Sequence, residues 1–125
     1  MQWILLFLAI ALVAFLLLLR RVELIGFQAA RDHIESGALI VDVRTPDEFN
    51  TMHVANAMNI PLSGLAMLLP ARVHDPNRVL LMHCDSGLRS AMARRRAKSL
   101  GFANAFNLGS YARAERIANV KRPAF

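Results

Sequence analysis

The sequence predicts an α/β fold with a mostly parallel central sheet and helices on both faces, preceded by one transmembrane helix. Three observations carry this. From residue 22 onward, short apolar runs rich in β-branched residues alternate with segments of helical periodicity. Pro, Gly, Asn and Asp punctuate the junctions between them. Ahead of this pattern, Trp3 to Leu19 form 17 uninterrupted apolar residues.

That first run is long enough to cross a bilayer. At about 1.5 Å per residue it reaches roughly 26 Å, and spanning helices need about 17–25 residues. It has no polar face, as a helix lying on a soluble core would. Ala9-Ile10-Ala11 resembles a signal-peptidase pattern, but eight more apolar residues follow and no basic region precedes, so an uncleaved anchor over residues 1–21 is expected. No Lys or Arg precedes the run, whereas Arg20 and Arg21 follow it at once. The positive-inside rule therefore puts residues 22–125 in the cytoplasm, as the domain of a single-pass membrane protein. A single cysteine, unable to form an internal disulfide, fits a reducing compartment.

The elements follow in order. Val22-Glu23-Leu24-Ile25 reads as a short strand closed by Gly26. Phe27 to Ser36 carries apolar residues at helical spacing (Phe27, Ala30, Ile34), with Gly37 where a helix ends. Ala38 to Val43 is a continuous apolar run suited to a central strand. Thr45-Pro46-Asp47-Glu48 is a helix start, with Thr45 as N-cap, Pro46 at the first position and Glu48 completing a capping box. Ala57 to Ile60 is another short strand stopped by Pro61, and Ser63 to Leu69 a helix reaching Pro70. Asp75-Pro76-Asn77 is a turn before the Val79–His83 strand. A helix over Ser90–Leu100 ends at Gly101, Ala105–Leu108 is the last strand, and Tyr111–Asn119 a final helix.

The chemistry-bearing stretch is Cys84-Asp85-Ser86-Gly87-Leu88-Arg89-Ser90, at the C-terminal end of the Val79–His83 strand. Ligands of open α/β sheets bind beyond such strand ends. A lone cysteine after an apolar strand is most often an inert buried hydrophobe. Here a glycine-containing turn and a helix start follow it, and both stabilise anions: turn amides form a concavity and the helix adds partial positive charge. A thiol is a nucleophile only as its thiolate, which such surroundings favour. Arg89 adds a planar fork of donors for an oxyanion. Cys84 is therefore the candidate nucleophile, and Asp85, Ser86, Gly87, Leu88, Arg89 and Ser90 the candidate substrate-binding loop.

Charge is uneven. The net charge is +6; residues 20–84 hold six basic and seven acidic side chains, residues 85–125 nine basic and two acidic. Arg94-Arg95-Arg96 and Lys98 cluster on one helix, as either a solvated face or one attracted to anionic lipid or substrate. Nucleic acid is not expected as a partner, since no aromatic residues interleave the basic ones.

Several stretches together resemble the rhodanese family of sulfurtransferases. They are Leu39-Ile40-Val41-Asp42-Val43-Arg44-Thr45-Pro46-Asp47-Glu48-Phe49, then His53-Val54 with Ala57 to Leu62, then the Cys84–Ser90 loop, and Gly101-Phe102 leading to Asn107-Leu108-Gly109. The resemblance implies that Cys84 takes a sulfane sulfur from a small anionic donor such as thiosulfate or a persulfide. It then passes the sulfur to a thiol or cyanide acceptor, without cofactor or metal. Asp42 and Arg44 match positions that are mainly architectural, expected as a buried or half-buried charge pair near the site. His53 has no partner set, His83 points to the opposite strand face from Cys84 by period 2, and His33 and His74 form no metal-ligand spacing. The chain departs from the family pattern at Met52 and Asn56, where glycines are usual, and at Ser110, which replaces the second residue of a Gly-Gly pair. These departures touch turns and the closing helix, not the Cys84 loop.

A cysteine phosphatase also uses a thiolate, a turn of amides and an arginine, but with five residues between Cys and Arg. Here there are four, Asp85 to Leu88, a smaller cradle suited to sulfur. A non-catalytic, membrane-tethered binding module would normally lack the cysteine, and a redox sensor would need a resolving cysteine that this chain does not carry.

Overall fold

The apolar N-terminal run folds as one helix, α1 (Gln2–Val22). Its side chains from Gln2 to Leu19 are all exposed, and this helix is long and apolar enough to cross a membrane. The computed structural model describes residues 1–120; the expected end of the folded domain, 121–125, lies outside the described residues, as do the side chains of Arg20 and Arg21.

After α1 come α2 (Phe27–Glu35), β1 (Leu39–Asp42), α3 (Pro46–Thr51), β2 (Met58–Asn59), a 3-10 turn (Leu62–Gly64), α4 (Leu65–Arg72), β3 (Leu80–His83), α5 (Leu88–Ser99), β4 (Ala105–Gly109) and α6 (Tyr111–Ala118). The strands pair in the order β2-β1-β3-β4, every neighbour parallel. Parallel strands are buried on both faces, which is why β1 and β3 are buried at all four positions. Alternation sorts them into two cores. Leu39, Val41, Leu80, Met82 and Cys84 pack with Leu65 and Leu69 of α4 and Ala93 and Ala97 of α5. Ile40 and Leu81 face Ala30 of α2 and Tyr111, Ala114 and Ile117 of α6. Helices thus cover both faces, as the alternation of elements predicts.

Two expectations need correction. Val22–Ile25 is not a strand: Val22 ends α1, Glu23 turns the chain with φ 30°, and only Leu24 bridges to Asn107. The helical run of α1 outlasts its apolar stretch and takes Val22, the first residue of the expected strand. Pro70 does not stop α4, which continues to Arg72. A proline costs the helix one amide donor, and a single missing bond leaves the last turn intact, with Val73 N–H bonded to the Leu69 carbonyl at 2.9 Å.

The departures from the family pattern have local explanations. Asn56 sits at φ 65°, the left-handed region that Asn tolerates better than most residues. Met52 is extended (φ −163°) and needs no glycine there. Ser110 caps α6, its hydroxyl accepting from the Arg113 N–H at 3.1 Å.

The sheet order reverses between β1 and β3, since β2 lies to one side of β1 and β3 to the other. Such switch points open a crevice at the C-terminal strand ends. There Val43 N–H bonds to the His83 carbonyl at 3.0 Å, which sets the start of the α3 loop beside Cys84.

Candidate active site

Cys84 follows β3 directly and is fully buried. Its backbone N–H reaches the Gly109 carbonyl at 3.2 Å, which fixes the loop against the end of β4. The chain then turns at Gly87, whose φ of 96° lies in the left-handed region where a side chain is strained. That turn brings the Gly87 N–H to 3.0 Å from the Cys84 Sγ. The Ser90 hydroxyl lies 3.5 Å from the same sulfur. Burial opposes ionisation of the thiol and is the largest single influence. The Ser90 hydroxyl and the N–H groups of Ser90, Gly87 and Ser86 together outweigh it, and the thiol's pKa falls below its ordinary value. The α5 N-terminus, beginning at Leu88, lies at the same place.

Ser90 is held in turn by Asn107, a fully buried residue on β4. The Asn107 Oδ1 accepts from the Ser90 hydroxyl at 2.7 Å and from the Gly109 N–H at 3.0 Å. Its Nδ2 donates to the Gly87 carbonyl at 3.1 Å and to the Val22 carbonyl at 2.7 Å. The whole hydrogen-bonding capacity of one amide side chain is used to join the Cys84 loop to the last turn of α1. In the sequence Asn107 stood only as part of a motif; a polar residue within an otherwise apolar strand was the available signal.

Arg89 reaches across to α3. It forms a bidentate pair with Glu48, Nη1 to Oε1 at 2.7 Å and Nη2 to Oε2 at 2.9 Å. Both side chains are about one-third exposed, at 37% and 35%. The Arg89 guanidinium is the main cause that draws Glu48 from 4.5 to about 2, and Glu48 in turn raises Arg89. Glu48 also completes the expected capping box with Thr45. The sequence pattern identified the cap but not the second partner, which is 41 residues away along the chain. The pair uses two of the five N–H donors of Arg89, leaving the others for an anion. Beside it opens a cleft of about 300 Å³ lined by Val43, Thr45, Pro61, Leu62, Ser63, Arg89 and Arg96.

The remaining loop residues divide. The Asp85 carbonyl accepts from the Tyr111 N–H at 3.2 Å, and Ser86 bridges to Ser110. Both side chains are exposed. Leu88 is exposed and turns toward α1.

Asp42 and Arg44 form a buried pair. Arg44 Nε lies 3.0 Å from Oδ1 and Nη2 2.8 Å from Oδ2, and Nη2 also reaches the Met52 carbonyl at 2.7 Å. The Asp42 hydrogen bonds raise the Arg44 pKa. The Tyr111 ring lies 4.8 Å beneath the guanidinium. His83, on the sheet face opposite Cys84, donates from Nδ1 to the Cys84 carbonyl at 3.1 Å. Its Nε2 lies 3.7 Å from Asp42 without a hydrogen-bond partner among the described residues. Burial lowers the His83 pKa, so the ring stays neutral. His53 stacks on Phe49, with ring centroids 3.9 Å apart. Among the described residues, no group of His, Cys, Asp and Glu could hold a metal ion.

The family model described as a rhodanese-like domain matches residues 27–113. The chain is 30% identical over 69 residues to the thiosulfate sulfurtransferase PspE of Escherichia coli, a match covering 55% of this chain and 66% of that protein. It is 35% identical over 86 residues to the probable adenylyltransferase/sulfurtransferase MoeZ of Mycobacterium tuberculosis, covering 62% of this chain and 20% of that protein. The chain therefore spans just under two thirds of the first relative and a fifth of the second. Among solved structures, the human single-domain sulfurtransferase TSTD1 is similar at a TM-score of 0.63 and 26% identity, covering 78% of this chain and 97% of that one.

Proposed function

The chain belongs to the rhodanese-like domain family, and on that premise we propose that it is a sulfurtransferase working through a persulfide on Cys84. The Cys84 thiolate attacks the sulfane sulfur of thiosulfate; the S–S bond of the donor breaks and sulfite leaves. The new Cys84 persulfide is then attacked at its outer sulfur by cyanide or a thiolate. Its S–S bond breaks, the Cys84 thiolate returns, and thiocyanate or an acceptor persulfide departs. Both half-reactions transfer sulfur to an incoming anion, so neither needs an outside electron source.

The observation that carries this reading is the Gly87 N–H aimed at the Cys84 sulfur from 3.0 Å, with the Ser90 hydroxyl, whose one proton also serves Asn107, in reach at 3.5 Å. Such donors favour the thiolate and stay in place to receive the negative outer sulfur of a persulfide. Arg89, oriented by Glu48, offers its unused N–H groups to the donor anion at the cleft beside Thr45 and Ser63. Asp42 and Arg44 hold the end of β1 and take no part in the chemistry. Residues 1–21 act as a single-pass anchor and residues 22–125 as the cytoplasmic domain, a reading supported by the apolar length of α1 and by Arg20 and Arg21.

Turnover tests it. The purified protein should convert thiosulfate and cyanide to thiocyanate, and Cys84→Ser should abolish the product. Arg89→Ala should reduce use of thiosulfate about 10-fold or more, the loss of a charge-assisted hydrogen bond. Arg89→Lys should restore part of it, since a point charge lacks the fork. Full activity in Cys84→Ser would exclude the persulfide route.

A further inference from the structure

A groove runs between α1 and α5 beside the Cys84 loop. Leu18 and Val22 line one wall, and Leu88, Ala91, Met92 and Arg95 the other. No linker separates the two helices' surroundings: Arg94 pairs with Glu23 at 2.9 Å, and Asn107 holds the Val22 carbonyl at 2.7 Å. Leu88 and Met92, four residues apart, share one face of α5. They are 55% and 43% exposed and belong to neither buried core. The same helix carries Arg89, Arg94, Arg95, Arg96 and Lys98 and no acidic residue.

Depth follows from the apolar stretch. A helix whose apolar window ends at Leu19 has Leu18 at the edge of the hydrocarbon layer. Side chains that share a groove with Leu18 stand at that same level. We propose that the Leu88–Met92 face of α5 is a membrane-docking surface, seated in the headgroup layer of the leaflet where α1 emerges. The apolar pair enters the interface and Arg95, which lines the same groove, meets anionic lipid, contributing only within about a Debye length. A bilayer fits better than a protein partner because the face is continuous with a helix that itself ends in lipid, and α5 carries basic residues and no acidic one. The Cys84 loop, whose last residue before Arg89 is Leu88, is thereby held at the membrane surface. This inference rests on the reading of α1 as a spanning anchor.

The test uses full-length Cys84→Ser carrying a spin label on a single introduced cysteine, as Leu12→Cys, His74→Cys or Met92→Cys. Each is reconstituted in phosphatidylcholine–phosphatidylglycerol vesicles at about 3:1. Position 12 lies in the middle of α1, and His74 is exposed at the end of the sheet opposite Cys84. Collisions with oxygen report lipid and collisions with a nickel chelate report water. The oxygen-to-nickel ratio should be highest at position 12, several-fold above position 74 at position 92, and lowest at position 74. In pure phosphatidylcholine the label at 92 should shift toward water while that at 12 stays. A label at 92 that matches 74, with 12 still in lipid, overturns the docking surface and leaves the anchor standing. Nickel access at position 12 overturns the anchor and the docking with it. Shielding of position 92 from both reagents overturns the lipid assignment in favour of a protein partner.

Discussion

Ser90 lowers the Cys84 thiol together with the backbone N–H groups of Ser90, Gly87 and Ser86, and its one hydroxyl proton is divided between the sulfur at 3.5 Å and Asn107 Oδ1 at 2.7 Å. A thiol with a lowered pKa is alkylated at lower pH than an ordinary one, whose value is 9.0. Iodoacetamide rates followed against pH should therefore rise with a midpoint below that value in the wild type. Ser90→Ala should move the midpoint up toward it, while an unmoved midpoint would assign the shift to the backbone amides alone. Asp42 and Arg44 act differently. Asp42 is fully buried, so Arg44→Ala leaves an unpaired carboxylate inside the fold and should cost about 3–5 kcal/mol in urea unfolding. A loss below about 1 kcal/mol would mean that water or another cation replaces the guanidinium. The place of Cys84 at a strand end was readable from the apolar run before it and the turn residues after it, whereas the Asp42–Arg44 pair was expected only through the family resemblance. The Asn107 network was not readable, since the spacing of residues gives no hint that one amide joins Val22, Gly87 and Ser90.

The element that most repays its sequence pattern is α3. Thr45, Pro46 and Glu48 fix its first turn, as capping chemistry requires. What the pattern does not reveal is that Glu48 serves a second element, since the pair to Arg89 joins α3 to α5 across the fold. The pH dependence follows from its sign. The Glu48 carboxyl is held at about 2 in the folded chain against 4.5 ordinarily. Its contribution is thus fully present above about pH 4.5 and is lost as the pH falls through about 2. Because both side chains are about one-third exposed, solvent screening keeps the pair below about 1 kcal/mol. Urea unfolding of wild type and Glu48→Gln should differ by that amount at neutral pH and converge between pH 4.5 and 2; a constant difference would contradict the pairing. The four-residue spacing from Cys84 to Arg89 belongs to this scale too. Aryl phosphates should give negligible turnover, because the cradle is one residue shorter than a phosphatase loop.

At the scale of the whole molecule, the alternation of elements foretold a parallel sheet with helices on both faces, and the order β2-β1-β3-β4 sets the Cys84 loop at its switch point. The boundary with α1 was harder to read. Apolar periodicity ends at Leu19, yet the backbone stays helical to Val22, whose carbonyl Asn107 binds. A protein lacking residues 1–21 keeps Val22, Glu23 and Ile25 and should be soluble, folded and active. Loss of a further four residues should lower thermal stability, because Arg113 also donates to the Ile25 carbonyl. The full chain should resist alkaline extraction from membranes, as a spanning helix does. The central claim is that a single sulfur atom resides on Cys84 between half-reactions, and intact-mass measurement tests it most directly. After thiosulfate the wild type should gain the mass of one sulfur atom, return to its starting mass on adding cyanide, and show no gain as Cys84→Ser. An unchanged wild-type mass, or a cyanide-labile gain in Cys84→Ser, would contradict the account.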